Sequence, residues 1–518
     1  MIFLTGFMGT GKTTIGGELA KITSQPFIDM DEEIISKTGA SIPEIFKYAG
    51  EKAFRTIERE VLFEIAERGR GIIATGGGVP VNPLNLLVMK ASGMIVNLTA
   101  PLETLRKRVG KDSNRPNWNE FVGALFKARQ GVYSDADLII DTDELSVKKT
   151  AKKIKDSIGE IPESVPVLLE SQPYPVYIGK GIFDKLGPLL KRHMKPEGLF
   201  CLVDENVMGL YRKKIAKAIS GFRHKIMEVP AGEGSKSQVF FEKVLSKMLA
   251  SGMNRQWTCI AIGGGVTGDL SGFAAGVFMR GIPVVQVPTT LLSQVDAGIG
   301  GKTGINHELG KNLIGIFKQP EFVLCDPVFL ETLSDEEFRG GMGEVIKYGI
   351  IMDRPLLEVL ENESLDIKTV VRMCCRDKAW VVARDEREGS MRRILNFGHT
   401  LGHAVERYYD YKMHHGEAVA MGIRFACFLS GELGLMNNMD IARVQRLIDK
   451  YGMISGRYNL PPADGIGKAM AVDKKSASGG INYVLAKGIG DFEVRKLKLD
   501  FILDAYKRYL NGYKKGIC

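Results

Sequence analysis

The sequence lacks the apolar segments that a membrane protein or an exported protein needs. No uninterrupted apolar run approaches the roughly 20 residues of a membrane-spanning helix. The apolar opening, Met1–Thr5, has no basic segment ahead of it and no small-residue cleavage site after it, so it predicts a first strand instead of a signal peptide. We therefore expect a cytoplasmic protein that does not bind membranes.

Cysteine is also scarce. The seven cysteines are an odd number without the regular spacing of a disulfide framework. Cys374 and Cys375 are adjacent and lack the two-residue gap of a redox or zinc pair. The sequence therefore predicts reduced thiols, and no cysteine is a candidate metal ligand.

The charge balance is basic but not concentrated. Lysine and arginine number 70 against 61 acidic residues, a net charge of +9, and the two signs alternate along the chain. The exception is the run from Lys148 to Lys155, which predicts a solvated helix face. Anionic small substrates account for this surplus, and we expect no nucleic-acid partner.

A chain of 518 residues is too long for one hydrophobic core. Four prolines between Pro162 and Pro175 predict a semi-rigid connector or an edge strand, and the first domain ends there. Strand and helix patterns alternate on both sides, which predicts an α/β fold with parallel sheets. From Ser334 onward the pattern is helical, apart from short strands near Asn482–Leu485 and Phe492–Val494. We predict domains at 1–160, 165–325 and 326–518, with 161–175 as linker and first strand.

The strongest local motif lies at Gly6–Thr13, which matches G-x-x-x-x-G-K-[ST] in full. An apolar strand precedes it, and Ile15, Leu19 and Ile22 follow at helical spacing. In that context the loop's N–H groups and the helix N-terminus face phosphates, Lys12 reaches the terminal phosphates and Thr13 takes a magnesium ion. The predicted nucleotide contacts are Gly9, Thr10, Gly11, Lys12, Thr13 and Thr14.

Further polar residues follow this loop. Asp29 and Asp31 come after a short apolar strand, where one suits the water shell of a metal and the other a hydroxyl group; the alternative is a pair that caps the next helix. Arg55 and Glu58 lie in a helical stretch. Three glycines, Gly76, Gly77 and Gly78, end a strand where a substrate could approach the backbone. Later arginines are Arg106, Arg108, Arg115 and Arg129.

In this order, these motifs resemble shikimate kinase over residues 1 to about 158. The resemblance implies that Asp29 holds magnesium with Thr13, and that Asp31 accepts the proton of the attacking hydroxyl. It assigns shikimate binding to Asp31, Arg55, Gly76, Gly77, Gly78 and Arg129, and nucleotide contacts to Arg108 and Arg115. Lys12, Asp31 and Arg129 are the expected catalytic residues. The stretch between Arg115 and Arg129 is several residues shorter than in that family.

The middle of the chain carries several glycine-rich loops. Gly263–Asp269 fits G-x-G-x-x-G, but the acidic residue expected about 20 positions later is missing, so the standard dinucleotide fingerprint is incomplete. Ala231–Lys236 and Pro288–Thr290 are two more such loops. Asp296–Lys302 and Gly310–Asn312 place a carboxylate and two lysines in predicted glycine-rich turns, a setting for a phosphorylated sugar.

Four of the seven histidines lie between His399 and His415. His399 and His403 are four residues apart and share one face of a predicted helix. Together with Glu344 and the adjacent pair His414 and His415, they could supply three ligands to a divalent ion and leave one position open. The residues alone do not decide which histidines those are.

The loops and this histidine stretch together resemble 3-dehydroquinate synthase to near residue 495. The resemblance implies a zinc or cobalt ion held by Glu344, His399 and His415. It places NAD against Asp204, Glu233, Lys236, Gly265, Val266, Thr267, Gly268, Asp269, Thr289, Thr290, Lys302, Lys311, Phe329 and Thr332. It places the heptulosonate phosphate against Arg280, Asp296, Lys302, Lys311, Asn312, Lys347, Lys378, Arg392, Asn396, His403 and Lys474 or Lys475. Lys302, Lys347, Arg392, Asn396 and His403 are the expected catalytic residues.

These resemblances imply a fused enzyme of chorismate biosynthesis. One half would phosphorylate shikimate with ATP and Mg²⁺; the other would convert 3-deoxy-D-arabino-heptulosonate 7-phosphate to 3-dehydroquinate and phosphate, with NAD reduced and reoxidised in one cycle. Such synthases are commonly homodimers, and Arg280 would then reach the neighbouring subunit's site. The alternative is a regulatory P-loop domain fused to a metal-dependent polyol dehydrogenase, which would make net NADH.

Overall fold

The computed structural model describes residues 1–109, 121–159, 161–471 and 480–514. Two compact units account for them: residues 1–177 with 188–195, and residues 178–187 with 196–518. Within the described residues, no helix combines the length and the apolar character needed to cross a membrane.

The first unit is built on a five-stranded parallel sheet in the order β2-β3-β1-β4-β5. Its strands β1 and β3 are buried along their whole length and are apolar apart from Thr5, as expected for a sheet covered on both faces. The elements are β1 (Ile2–Thr5), α1 (Lys12–Thr23), β2 (Phe27–Asp29), α2 (Met30–Thr38), α3 (Ile42–Arg68), β3 (Ile72–Ala74), α4 (Pro83–Ser92), β4 (Met94–Thr99), α5 (Leu102–Val109), α6 (Val122–Tyr133), β5 (Leu138–Asp141) and α7 (Val147–Asp156).

The proline-rich stretch forms two strands, β6 (Ser164–Val167) and β7 (Tyr174–Ile178), which pair in antiparallel register. Pro166 lies directly opposite Pro175 in that register. Of the two predictions for this stretch, the strand is therefore the one that the structure has. Proline is tolerated there because a hairpin leaves some N–H positions outside the ladder.

The second unit contains five parallel strands that lie side by side in the order β14-β11-β10-β8-β9. The predicted parallel α/β architecture is thus confirmed in both units. The elements up to the last of these strands are α8 (Leu186–His193, which falls across the boundary between the units), β8 (Gly198–Asp204), α9 (Glu205–Ile219), β9 (His224–Val229), α10 (Gln238–Ala250), β10 (Trp257–Gly263), α11 (Gly265–Val277), β11 (Val284–Pro288), β12 (Lys302–His307), β13 (Gly310–Phe317) and β14 (Phe322–Cys325).

The remainder of this unit is helical, as predicted, and ends with one antiparallel hairpin and a last helix. Its elements are α12 (Asp335–Ile351), α13 (Arg354–Glu361), α14 (Ile367–Arg384), α15 (His399–Tyr408), α16 (His415–Glu432), α17 (Asn438–Lys450), α18 (Ala463–Ala471), β15 (Ile481–Ala486), β16 (Phe492–Leu497) and α19 (Leu499–Lys514). The six cysteines in the described residues are buried and unbridged.

The prediction that Lys302 and Lys311 lie in glycine-rich turns was wrong. Both belong to the two-stranded hairpin β12–β13. Gly304 and Gly315 are paired across it, and a Cβ on either glycine would collide with a carbonyl of the opposite strand. These glycines therefore allow two strands to approach closely, a role that the spacing of glycines along the sequence does not distinguish from a turn.

Candidate active sites in the two units

In the first unit, the loop between β1 and α1 forms a phosphate-sized cradle. Gly6, Gly9 and Gly11 have φ values of 135°, 85° and 89°, which side chains rarely allow. Lys12 lies at the first position of α1, and its Nζ donates to the carbonyls of Gly6 at 2.9 Å and Phe7 at 3.2 Å. An ammonium group and a helix N-terminus therefore converge on one loop, as anion binding requires.

Asp29 joins this loop to the next strand. Thr13 Oγ1 donates to Asp29 Oδ2 at 2.8 Å, while Asp29 Oδ1 accepts the backbone N–H of Asp31 at 3.0 Å. One oxygen of Asp29 therefore caps α2, and the other accepts from the hydroxyl that is predicted to bind magnesium. Thr14 is exposed beside Thr13, and the Thr10 hydroxyl donates within the loop at 2.9 Å.

Arg55 and Glu58 form a partly buried ion pair against the glycine loop. Arg55 Nη1 donates to both Glu58 oxygens at 3.0 Å, and Glu58 is only 2% exposed. Burial raises the pKa of Glu58, and the Arg55 charge opposes that rise. A Cβ on Gly78 would collide with the Arg55 guanidinium, and one on Gly76 would lie 3.3 Å from Asp31 Oδ1. The glycines therefore let the backbone pass beside the predicted substrate residues.

Arg129 and Tyr133 meet the same loop from α6. Arg129 Nη1 donates to the Gly77 carbonyl at 3.1 Å, and the Tyr133 hydroxyl donates to that oxygen at 2.6 Å. Sequence reasoning missed Tyr133, although its position four residues after Arg129 puts both on one helix face.

The remaining predicted nucleotide contacts lie on and after α5. The Arg108 guanidinium donates to the Thr142 carbonyl at 2.7 Å and to the Thr142 hydroxyl at 3.0 Å. The helix itself lies beside the phosphate loop, because a Cβ on Gly9 would be 3.4 Å from the Leu105 carbonyl. Arg115 lies outside the described residues.

In the second unit, three helices bring the predicted metal ligands together. Glu344 lies on α12, His399 opens α15 and His415 opens α16, and one ligand atom from each lies within 4.8 Å of the others. The two oxygens of Glu344 have separate surroundings: Oε2 pairs with Lys347, whereas buried Oε1 faces the histidines and has no hydrogen-bond partner among the described residues. Burial opposes ionisation, but Lys347 and His399 lower the pKa of Glu344 to about 2.

The hydrogen bonds of the two histidine rings indicate which nitrogen is available. His399 Nδ1 lies 3.1 Å from the Phe397 carbonyl, and His415 Nδ1 lies 3.3 Å from Glu406 Oε1. Each Nδ1 therefore faces an acceptor, so a neutral ring with its proton on Nδ1 would present the lone pair of Nε2 to a metal ion. Those Nε2 atoms lie 3.2 Å and 3.9 Å from Glu344 Oε1, so three donor atoms converge. The donor set fits a divalent ion of the zinc type.

A second group of possible ligands, His403, Glu406 and His415, shares one ring with the first. It would need the Nδ1 of His415, the nitrogen that faces Glu406. Glu406 is buried and better placed to orient His415 than to bind an ion. Sequence reasoning missed Glu406, three residues after His403 on α15. His403 is exposed, with its ring centroid 5.2 Å from that of His399.

Next to the ligands lies a buried network centred on Asp296. Asp296 Oδ1 accepts from Lys378 Nζ at 2.7 Å and from the Tyr348 hydroxyl at 2.9 Å. Burial opposes ionisation of Asp296, but Lys378 and Lys347 hold its pKa well below the usual range. Burial also lowers the pKa of Lys378 to about 8, against the pull of Asp296. Two predicted substrate lysines thus flank one carboxylate.

Arg392 and Asn396 lie on the turn that precedes α15. Arg392 is buried, and its Nη1 donates to two backbone carbonyls, that of Gly300 at 3.2 Å among them. Its Nε is buried and has no hydrogen-bond partner within the described chain. Asn396 is exposed and lines a cavity of about 370 Å³ together with Arg393 and Asn482.

The three residues predicted near the substrate phosphate have different partners here. Lys347 pairs with Glu344, Lys302 Nζ donates to Glu388 at 2.5 Å, and Asn312 accepts from Lys236 Nζ at 2.5 Å. Lys311 lies 4.6 Å from the ring centroid of Tyr411, as a cation over an aromatic face. Asn312 has a positive φ of 57°, an uncommon conformation outside glycine.

The glycine loop after β10 opens α11 beside the ends of two other strands. A Cβ on Gly263 would lie 3.0 Å from Asp204 Cβ, and the Gly263 carbonyl accepts the N–H of Thr289 at 2.9 Å. Gly265 is the first residue of α11. The carboxyl ends of parallel strands are where dinucleotides bind, so Asp204, Gly265 and Thr289 share a suitable edge. Val266, Thr267 and Gly268 follow on the first turn of α11, and Thr290 adjoins Thr289.

Lys236 connects this edge to the hairpin. It is 4% exposed, and its Nζ donates to Asp269 at 2.7 Å. Glu233 lies 3.9 Å from the same Nζ and accepts from Asn306 at 2.8 Å. Lys236 therefore joins two of the predicted NAD loops by a hydrogen bond, and Asn306 on the hairpin, which sequence reasoning missed, donates to Glu233.

The last predicted contacts are more scattered. Phe329 is buried in an aromatic cluster, 4.9 Å from Tyr211 between ring centroids, and Thr332 Oγ1 lies 2.9 Å from the Tyr211 hydroxyl. Arg280 is exposed in a left-handed conformation with φ of 70°. Lys474 and Lys475 lie outside the described residues.

Three family models match separate parts of the chain. The model described as "Shikimate kinase" matches residues 8–159. Those described as "3-dehydroquinate synthase N-terminal" and "3-dehydroquinate synthase C-terminal" match residues 226–340 and 341–476.

Individual proteins give the same result for the second part of the chain. The 3-dehydroquinate synthase of Thermoanaerobacter sp. is 41% identical over 354 residues, which cover 66% of this chain and 99% of that protein. The structure of 2-epi-5-epi-valiolone synthase from Streptomyces hygroscopicus, with NAD⁺ and Zn²⁺ bound, is 27% identical with a TM-score of 0.60, covering 65% of this chain and 97% of that one. A structure of 2-deoxy-scyllo-inosose synthase, 23% identical over 67% of this chain and 99% of its own, also with a TM-score of 0.60, shares the fold.

Proposed function

Because the chain belongs to the 3-dehydroquinate synthase family and carries a shikimate kinase domain at residues 8–159, we propose that the side-chain clusters described above are its two active sites. The protein is a bifunctional enzyme of aromatic biosynthesis, a kinase and a lyase in one chain. The observation that carries the proposal is the convergence of Glu344 Oε1 with the Nε2 atoms of His399 and His415. The charged side chains around Asp296 lie beside them.

In the kinase half, positioning and charge neutralisation supply most of the catalysis. The phosphate loop with Lys12 would hold ATP, and Thr13 with Asp29 would hold the hydrated Mg²⁺. Shikimate would lie along the glycine loop, with its carboxylate between Arg55 and Arg129. Asp31 would then accept the proton of the attacking hydroxyl.

In the synthase half, bound NAD would supply a hydride acceptor and donor, and a bound Zn²⁺ or Co²⁺ would polarise the substrate oxygen. Glu344, His399 and His415 would hold the metal, and the edge formed by Asp204, Gly265 and Thr289 would hold the dinucleotide. The residues proposed to bind heptulosonate phosphate are Asp296, Lys302, Asn312, Lys347, Lys378, Arg392, Asn396 and His403.

The ionisation of these groups suits substrate binding. Asp296 stays charged because Lys378 and Lys347 flank it, so a substrate hydroxyl finds a strong acceptor. Lys378, with its pKa lowered to about 8, can release or accept a proton near neutral pH. Lys302 and Lys311 lie on the hairpin. Lys302 donates to Glu388 here, and it would contact the substrate once a phosphate oxygen replaced Glu388 as its acceptor.

A regulatory P-loop domain fused to a polyol dehydrogenase is not favoured. The substrate-side arginines Arg55 and Arg129 both contact the glycine loop, which a mere nucleotide switch does not need. We propose the domain limits 1–160, 165–325 and 326–518, with a linker and first strand at 161–175.

The test of both activities uses the full chain. Incubated with the heptulosonate phosphate and NAD, it should release one phosphate per substrate consumed without accumulating NADH; with shikimate and MgATP it should form ADP. Phosphate is followed colorimetrically and NADH by absorbance. Steady build-up of NADH would contradict the synthase assignment, and ADP formation independent of shikimate would contradict the kinase assignment.

We also propose a cytoplasmic homodimer formed through the synthase half, with Arg280 reaching the neighbouring site. Arg280 is exposed in the turn after α11, where its backbone has a positive φ of 70°. Light scattering should then give twice the 57.0 kDa of one chain. A mass of one chain at assay concentrations, with full synthase activity, would contradict it.

A further inference from the structure

The Gly77 carbonyl in the kinase site receives two donors from one helix. Tyr133 Oη lies 2.6 Å from it and Arg129 Nη1 lies 3.1 Å from it. Tyr133 is 3% exposed, whereas Arg129 is half-buried. The carbonyl oxygen has two lone pairs, so the two donors do not compete for one position.

The two donors differ in what else they can do. Tyr133 ends α6 deep in the unit, where burial raises the pKa of its hydroxyl, opposed by the Arg129 charge, so it stays a neutral donor. Arg129 has five N–H groups and is the residue proposed to bind the shikimate carboxylate. We therefore expect only Arg129 to exchange its hydrogen bond to the Gly77 carbonyl for one to the substrate.

Gly77 is half-buried, so its carbonyl loses free energy when it loses a partner that water replaces only in part. With Tyr133 present, the Gly77 oxygen keeps one hydrogen bond whatever Arg129 does. That bond also fixes the plane of the Gly77–Gly78 peptide, and a planar trans peptide points its N–H away from its carbonyl, hence away from α6. Arg55 packs against Gly78 on this loop.

We propose that Tyr133 is a positioning residue for shikimate. Its hydroxyl keeps a hydrogen bond to the Gly77 carbonyl, so Arg129 can bind the substrate carboxylate without leaving that carbonyl unpaired. This inference rests on the proposed function of Arg129 and the glycine loop. In this proposal Tyr133 acts on the substrate only through the Gly77 carbonyl and Arg129.

The test is Tyr133→Phe in the full chain, which removes one oxygen. Without the hydroxyl, Arg129 is the one side-chain donor left to the Gly77 oxygen among the described residues, and substrate binding must break that bond. The KM for shikimate is expected to rise about five- to thirtyfold, from the cost of one unsatisfied carbonyl. The KM for ATP and the synthase activity of the same chain should stay within about twofold of the wild type.

Thr150→Val is the matched control. It removes another buried hydroxyl that donates to a carbonyl in the same unit, at 3.1 Å from Ser146 O, but on α7. Its KM for shikimate should not change. The positioning role is wrong if Tyr133→Phe leaves the KM for shikimate unchanged. It is also wrong if the variant raises the KM values for shikimate and ATP together and lowers the melting temperature as Thr150→Val does.

A double-mutant cycle separates this inference from the function on which it rests. In an Arg129→Ala background the exchange of partners no longer occurs, so Tyr133→Phe should add nothing further to the KM for shikimate. Additive effects would overturn the positioning role. If Arg129→Ala by itself leaves shikimate kinetics unchanged, the proposed carboxylate clamp fails, whatever Tyr133→Phe does.

Discussion

Replacing Glu344 by glutamine is expected to empty the metal site and stop the synthase, while the kinase activity of the same chain remains. Glu344 Oε1 is the only carboxylate oxygen of the proposed ligand set, and a neutral amide is a much weaker ligand for zinc. Losing an outer partner of a metal site already costs 10- to 100-fold, so we expect a fall in kcat/KM of at least about 100-fold.

The direct measurement is the metal content of the purified protein. We expect close to one zinc or cobalt per wild-type chain and almost none per Glu344→Gln chain. Dialysis of the wild type against a chelator should reproduce the loss of synthase activity, and added Zn²⁺ or Co²⁺ should restore it only in the wild type. A variant with full metal content and normal turnover would refute the assignment.

The variant also leaves Lys347 without its buried partner, so folding needs its own control. Glu337→Gln changes an exposed glutamate in the first turn of the same helix, away from the ligands. It should bind metal and turn over normally. Kinase activity, measured in excess Mg²⁺, reports only on the first unit, which has its own core. The thermal unfolding curve of each full chain reports whether the second unit is folded.

Replacing Lys12 by methionine is expected to give the opposite outcome, with the kinase lost and the synthase intact. The Lys12 ammonium now satisfies the carbonyls of Gly6 and Phe7 within the phosphate loop. With ATP bound it would instead meet the charge that spreads over the transferred phosphoryl group. Removing such a preorganised group typically costs 100- to 1000-fold in kcat, so we expect a loss of at least about 100-fold.

Methionine keeps the length and apolar stem of lysine, so the loop should keep its shape. Lys21→Met is the matched control, because Lys21 is exposed in the last turn of the same helix. Its shikimate-dependent ADP formation should equal that of the wild type. If Lys12→Met phosphorylates shikimate at the wild-type rate, the loop does not hold the transferred phosphate.

Local motifs predicted much of the fold because their physics is local. The loop Gly6–Thr13 needs only a strand before it and a helix after it, and the apolar spacing of both is visible in the chain. The helical character after Ser334 was predicted for the same reason. The hairpin β12–β13 was not, because the tight pairing of Gly304 with Gly315 depends on a register that glycine spacing does not encode.

For the candidate sites too, the local motifs were predicted and the contacts between distant parts of the chain were not. Residue type and motif order named Glu344, the histidines, Asp296 and the lysines, but not their partners. Glu406, Tyr348 and Tyr133 were missed because each contributes a single hydrogen bond to a residue that carries the motif. Their importance depends on burial and on distance across helices, which a single sequence does not give.

The sequence by itself determined that His399 and His403 share a helix face, that one phosphate loop opens α1, and that carboxylates and lysines accompany the histidines. Only the tertiary structure decided which ring nitrogens converge on Glu344. The physical reason is the contact on the far side of each ring: the Phe397 carbonyl and the Glu406 carboxylate each face an Nδ1, which orients each Nε2 toward Glu344.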